Sequence, residues 1–133
     1  MKRSILIVED QSDVREALKL LIEHLLKQAG IEHDITLCGD CDEGLRAIAA
    51  HEPFDAIVTD LDCPRRYGGA EITAGARRRS DRTQVIVVTG RLEADPDEIR
   101  NKCQAHEYLQ KPPSLEQLGA ALGRCVGHFA ETV

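Results

Sequence analysis

Short apolar runs alternate along this chain with longer segments in which apolar positions recur every three or four residues. A β-branched run with a sharp polar end reads as a strand buried on both faces, and the longer period as a helix with one apolar face. The pattern predicts strands at Ser4–Val8, Ile35–Cys38, Phe54–Thr59, Gln84–Thr89 and Glu107–Gln110. The first helix is expected from Gln11 to about Gln28, with Val14, Ala17, Leu18, Leu21 and Leu25 inward, and Gly30 as its stop. The second covers Cys41–His51, with Leu45, Ile48 and Ala49 inward, and ends before Pro53. Pro64 and Gly68-Gly69 mark a loop, after which a third helix runs to about Arg79. A fourth runs from about Pro96 to Cys103. Ser114 with Gln117 three residues on forms a capping box for the last, which runs to about Glu131 and buries Leu115, Leu118, Leu122, Cys125, Val126 and Phe129.

Five strands each followed by a helix argue for an α/β domain with a five-stranded, doubly wound parallel sheet. The flavodoxin-like order 2-1-3-4-5 is taken by analogy. A length of 133 residues fits one domain, residues 1–133, with no output domain expected. The helix count leaves no linker or low-complexity tract. With no Trp and only Phe54, Tyr67, Tyr108 and Phe129 as aromatics, the core must be aliphatic.

Net charge is −6, which weighs against direct nucleic-acid binding, where phosphate contacts dominate affinity. No apolar run approaches the ~20 residues of a membrane span. The apolar run after Met1-Lys2-Arg3-Ser4 stops at Glu9-Asp10, too soon for a signal peptide, so a cytoplasmic location is expected. The five cysteines are odd in number and irregularly spaced, which argues against a disulfide framework. Cys38-Gly39-Asp40-Cys41 is formally C-x-x-C and is read as a strand end and a helix start that carry small thiols.

Parallel strands gather their carboxyl ends on one edge, and ligands sit there where strand order reverses. The first and third strands flank that point and end in Glu9-Asp10 and Asp60; the fourth ends in Thr89, and Lys111-Pro112 follows the fifth. Three carboxylates in one pocket repel one another, and a divalent cation relieves this. All-oxygen ligands suit Mg²⁺. A carboxylate beside such an ion can attack phosphorus, and Lys111 and Thr89 can meet the charge on the product's oxygens. Glu9 and Asp10 taken alone could equally cap the first helix.

In the stretches Ile5-Leu6-Ile7-Val8-Glu9-Asp10, Val58-Thr59-Asp60-Leu61-Asp62-Cys63-Pro64, Val87-Val88-Thr89-Gly90 and Tyr108-Leu109-Gln110-Lys111-Pro112, the chain resembles the receiver domain of two-component response regulators, from end to end. The resemblance implies that Asp60 accepts a phosphoryl group from a histidine kinase or phosphotransfer protein. It implies that Glu9, Asp10, Asp60 and the backbone carbonyl of Asp62 hold Mg²⁺. Thr89 and Lys111 would bind the phosphoryl oxygens, Tyr108 would turn inward as Thr89 moves, and Pro112 would follow a cis bond. Such a switch turns over no separate substrate, so no enzyme is expected. Its signal would leave through the fourth helix, fifth strand and fifth helix, as a monomer or weak homodimer.

Two other functions fit parts of the pattern. A degenerate receiver would serve only as a protein-binding module, although all the key positions are filled. A haloacid-dehalogenase-type phosphatase would use Asp60-Leu61-Asp62 as nucleophile and acid, but Glu9-Asp10 precedes the nucleophile and no insertion supplies a cap.

Several features are particular to this chain. Asp62 and Arg91 lie two residues beyond Asp60 and Thr89, and are expected to pair across the pocket mouth and slow phosphoryl loss. Gln104 and Pro113 stand where the family often has a glycine and an aromatic. The fourth helix offers mainly Ile99 and Cys103 to the core and should move easily. Gly119, Gly123 and Gly127 form a stripe on the last helix that would suit a docking partner. Arg77-Arg78-Arg79 and Arg82 complement the dipole at the end of the third helix.

Overall fold

The computed structural model describes residues 2–126. Five strands, β1 (Arg3–Val8), β2 (His33–Cys38), β3 (Ala56–Asp60), β4 (Gln84–Thr89) and β5 (Glu107–Gln110), alternate with α1 (Ser12–Gln28), α2 (Cys41–Ala50), α3 (Gly68–Arg79), α4 (Pro96–Lys102) and α5 (Leu115–Val126). The strands form one sheet in the order β2-β1-β3-β4-β5, and every neighbouring pair is parallel. The expected architecture is therefore the observed one, and each strand lies within two residues of its predicted bounds.

Strand alternation sorts the core into two layers. Leu6, Val8, Ile57, Val85 and Val87 pack with Ile48, Ile72 and Ile99 on the α2/α3/α4 side. Ile5, Ile7, Val58, Ile86 and Val88 pack with Leu18, Ile22, Leu26, Leu118 and Leu122 on the α1/α5 side. With both faces covered, the strands must read as continuous apolar runs, which is why they were legible.

The helix faces are rotated from the expected ones. On α1 the fully buried positions are Leu18, Ile22 and Leu26, whereas Ala17 is exposed. Ala17 sits on the flank of the stripe, and its small side chain gains little from burial. On α2 the buried positions are Cys41, Gly44 and Ile48, with Ala49 exposed. Leu115, in the first turn of α5, is also exposed. Phe129 and Gly127 lie outside the described residues.

Gly68 and Gly69 belong to the first turn of α3 rather than to the preceding loop. A Cβ on Gly69 would sit 2.5 Å from the Asp60 carbonyl oxygen, so only glycine lets the helix start this close to the end of β3. Gly119 has a similar but internal reason, because a Cβ there would meet Leu25 of α1 at 3.2 Å. That position of the stripe thus serves helix packing within the domain. The capping box forms as expected: the Gln117 amide donates to Ser114 Oγ, and the Ser114 amide donates to Gln117 Oε1.

Candidate functional site

Register brings the polar strand ends to one level. Val8 pairs with Thr59, which sets Glu9 beside Asp60, and Asp60 pairs with Val88, which sets Thr89 one step beyond. The Lys111 amide donates to the Thr89 carbonyl at 2.9 Å, so the chain leaving β5 returns lysine to the same edge. The Lys111–Pro112 peptide bond is cis, as expected, and so is Cys63–Pro64.

Glu9, Asp10 and Asp60 each offer a carboxylate oxygen within 4.8 Å of the others. Glu9 is 1% exposed and Asp10 is exposed, so the group spans from the sheet edge to solvent. Lys111 Nζ donates to Glu9 Oε1 at 2.7 Å and to Asp60 Oδ2 at 3.1 Å. The other Glu9 oxygen accepts the Gln11 amide, and its backbone carbonyl accepts from Arg15. Glu9 is thus a pocket residue. The N-cap of α1 is Gln11, with no side-chain cap.

Burial pushes the Glu9 and Asp60 carboxyl groups above their usual range, against the opposing pull of Lys111. Burial works to lower the Lys111 ammonium, but Glu9 and Asp60 outweigh it and its pKa rises. The lone ammonium therefore holds together two carboxylates that the fold has partly dehydrated. Oxygen-only donors in a cluster of this sign suit a hard divalent cation such as Mg²⁺, which takes few carboxylates and keeps positions for phosphate oxygens.

Thr89 is buried, and its Oγ1 accepts the Arg91 amide at 3.3 Å. Arg91 forks onto Asp62, with Nε to Oδ2 at 2.9 Å and Nη2 to Oδ1 at 3.1 Å. The expected pair across the pocket mouth is present and bidentate. Asp62 Oδ1 also accepts the Tyr67 amide, and the Arg91 guanidinium holds the Asp62 carboxyl below the usual carboxylate range. The Asp62 side chain is thereby occupied, and its backbone carbonyl is the group left for a cation.

Tyr108 pairs with Val87 across β4–β5. Its hydroxyl donates to the Cys103 carbonyl and accepts the Ala105 amide, so it is engaged in the turn where Gln104 stands. Tyr67, which sequence reasoning passed over, lies at the edge of the site in the left-handed region, φ 58°. Its signal was faint: an aromatic directly before Gly68-Gly69, following Arg65-Arg66.

Cys38 and Cys41 close β2 and open α2 and are free thiols. Among the described residues no helix is long and apolar enough to cross a membrane.

The model of the response regulator receiver domain matches residues 5–123. The transcriptional regulatory protein PdtaR of Mycobacterium tuberculosis is 31% identical over 130 residues, which are 97% of this chain and 59% of that protein. The uncharacterized transcriptional regulatory protein YkoG of Bacillus subtilis is 31% identical over 122 residues, 91% of this chain and 50% of that protein. The chain spans about half the length of the curated relatives it matches. Among solved structures, the receiver domain of sensor histidine kinase PA1611 from Pseudomonas aeruginosa, with magnesium in its active-site cleft, is 28% identical. It superposes with a TM-score of 0.66 over 96% of this chain and all of that one. A CheY-like receiver protein from Methanospirillum hungatei, at 22% identity and TM-score 0.77, covers 95% of this chain and 94% of that one and supports the fold. The match over residues 5–123 and the shared sheet order together establish that this chain belongs to the response regulator receiver domain family.

Proposed function

We propose that the chain is a cytoplasmic signalling switch that takes a phosphoryl group on Asp60 from a histidine kinase or phosphotransfer protein. The observation that carries this reading is Lys111, whose ammonium bridges Glu9 and Asp60 inside a group of three converging carboxylates. In this reading Glu9, Asp10, Asp60 and the Asp62 carbonyl hold Mg²⁺, which supplies positive charge to the transferring phosphoryl oxygens.

The chain's own residues then divide the work. An Asp60 carboxylate oxygen attacks phosphorus as the donor imidazole leaves, which yields an acyl phosphate. The three phosphoryl oxygens carry more charge than the carboxylate they replace. Lys111, already beside Asp60, meets that charge with its ammonium, and Thr89 meets it with its hydroxyl. Thr89 must then turn from the Arg91 amide toward the new group. Thr89 and Tyr108 form the proposed switch pair, and α4, β5 and α5 the proposed output face. No separate substrate is turned over.

Incubation with acetyl phosphate and Mg²⁺, followed by intact-mass measurement, tests the reading. One phosphoryl adduct is expected on the wild type, none on Asp60→Ala, and none when EDTA is present. An equal adduct on Asp60→Ala, or none on either protein, contradicts it.

A further inference from the structure

Tyr67 is a non-glycine residue in the left-handed region, a conformation that a Cβ disfavours. Its surroundings hold it there. The backbone amide donates to Asp62 Oδ1 at 2.9 Å. The ring lies under the Arg91 guanidinium at 4.7 Å, and the Lys102 ammonium stands 5.0 Å from its centroid. Its hydroxyl is 3.5 Å from Arg91 Nη1.

These cations come from elements with different neighbours. Arg91 follows β4, forks onto Asp62 and reaches Asp95, the residue that opens α4, at 3.7 Å. Lys102 is the last residue of α4 and pairs with Glu98 one turn earlier. The Asp62 amide lies 3.4 Å from Asp60 Oδ1. One side chain in the β3–α3 loop therefore links the acceptor aspartate's loop to both ends of α4. Tyr108 meets α4 near its C-terminal end, where its hydroxyl donates to the Cys103 carbonyl and the Arg100 guanidinium lies 5.2 Å from its ring centroid.

We propose that Tyr67 is a positioning residue that tethers α4 to the phosphorylation loop and passes the state of Asp60 to that helix. The proposal rests on the reading of Asp60 as acceptor. When Thr89 turns toward a phosphoryl group, the Arg91 amide loses its acceptor, and Arg91 shifts off the ring. Helix α4, which buries Ile99 alone along its length, is then held by less. A cation over a half-buried aromatic is a modest contact, which suits a tether that must release.

Amide hydrogen exchange of α4 in Tyr67→Asn, Tyr67→Phe and wild type tests the tether. Asparagine tolerates the left-handed backbone and removes the ring, whereas phenylalanine keeps the ring. In resting protein the amides of Ile99 to Lys102 should exchange about threefold to fivefold faster in Tyr67→Asn. They should stay near wild type in Tyr67→Phe. The amides of Ile86 and Val88 in β4 should not change, which separates a local release from global destabilisation. Acetyl phosphate with Mg²⁺ should speed α4 exchange in wild type and add little in Tyr67→Asn. Unchanged α4 protection in resting Tyr67→Asn overturns the proposal, as does a full phosphate response in that variant. If intact mass shows no adduct on wild type, the acceptor reading falls, and the resting comparison alone decides whether the tether exists.

Discussion

Helices α5 and α4 lie toward the same edge of the sheet but are held in different ways. α5 buries Leu118, Ala121, Leu122 and Val126 and opens with a reciprocal capping box. α4 buries Ile99, with Cys103 at its C-cap, and Asp95 gives its N-terminus no side-chain cap. What holds α4 besides Ile99 is mostly charge near the surface: Arg91 with Asp95, Arg91 and Lys102 around Tyr67, and Arg100 over Tyr108. Apolar burial gives one helix a fixed place, and ion pairs give the other a place it can leave. In the proposed switch, the frame and the moving part are thus separated by the chemistry of their contacts.

The sharpest way to break this contrast is to truncate one anchor on each side. Leu122→Ala should cost about 2–5 kcal/mol of global stability in urea denaturation, because it opens a cavity in a fully buried layer. Ile99→Ala should cost less globally, near about 2 kcal/mol, while amide exchange across α4 rises far more than exchange in β4. Equal global losses with no local effect at α4 would remove the distinction.

A smaller effect is expected at the pocket. Burial raises the Asp60 carboxyl, so in the absence of cations the charged form costs stability at neutral pH. Asp60→Asn should therefore raise the melting temperature at pH 7. That gain should shrink as pH falls through the raised native value and vanish below the unfolded value of 3.8. A variant that melts lower at pH 7 would mean that Lys111 more than offsets burial.

Arg91→Ala removes a fork that is only partly exposed, 22% at Arg91 and 33% at Asp62. Its stability cost should stay within about 1 kcal/mol. The clearer expected change is faster loss of the phosphoryl group from Asp60, followed by intact mass after acetyl phosphate is removed. Unchanged lifetimes would leave the fork as a structural contact only.

The smallest effect concerns His106, whose Nδ1 accepts the Val85 amide and whose pKa is lowered by burial, with Arg77 adding to the shift. The unfolded chain binds the proton more readily, so this contribution is present above pH 6.5 and fades as pH falls below it. His106 is largely exposed, and solvent will blunt the effect. His106→Gln should slightly flatten the loss of stability between pH 7 and 5.5; an unaltered profile would show that the bond survives protonation.

The parts of the site that were legible in the sequence are those that end strands. A run buried on both faces must stop abruptly at the sheet edge, so Glu9, Asp60 and Thr89 announced themselves by terminating Ile5–Val8, Ala56–Thr59 and Val85–Val88. Lys111 followed from the polar exit of the short fifth strand. The Asp62–Arg91 fork was legible because the two residues have opposite charge at the same offset from neighbouring strand ends.

Helix faces were less legible. On α1 the apolar residues Val14, Ala17, Leu18, Leu21, Ile22, Leu25 and Leu26 cover a wide arc, and periodicity alone leaves its centre uncertain by about one residue, or 100°. The sheet settles it on Leu18, Ile22 and Leu26. The entry to α3 departs from its local signal for a different reason. Paired glycines signal a turn locally, but here they allow close approach to the backbone of Asp60 and Leu61, a tertiary demand. Tyr67 had no period to reveal it, since its partners lie 24 and 35 residues away in the chain, at Arg91 and Lys102.

The most direct measurement is to trap the modified residue itself. After treatment with acetyl phosphate and Mg²⁺, borohydride reduces an aspartyl phosphate to homoserine, which peptide mass spectrometry can place. The account predicts homoserine at position 60 and at no other acidic residue. Conversion at Glu9, Asp10 or Asp62 instead, or no conversion at all, would contradict it.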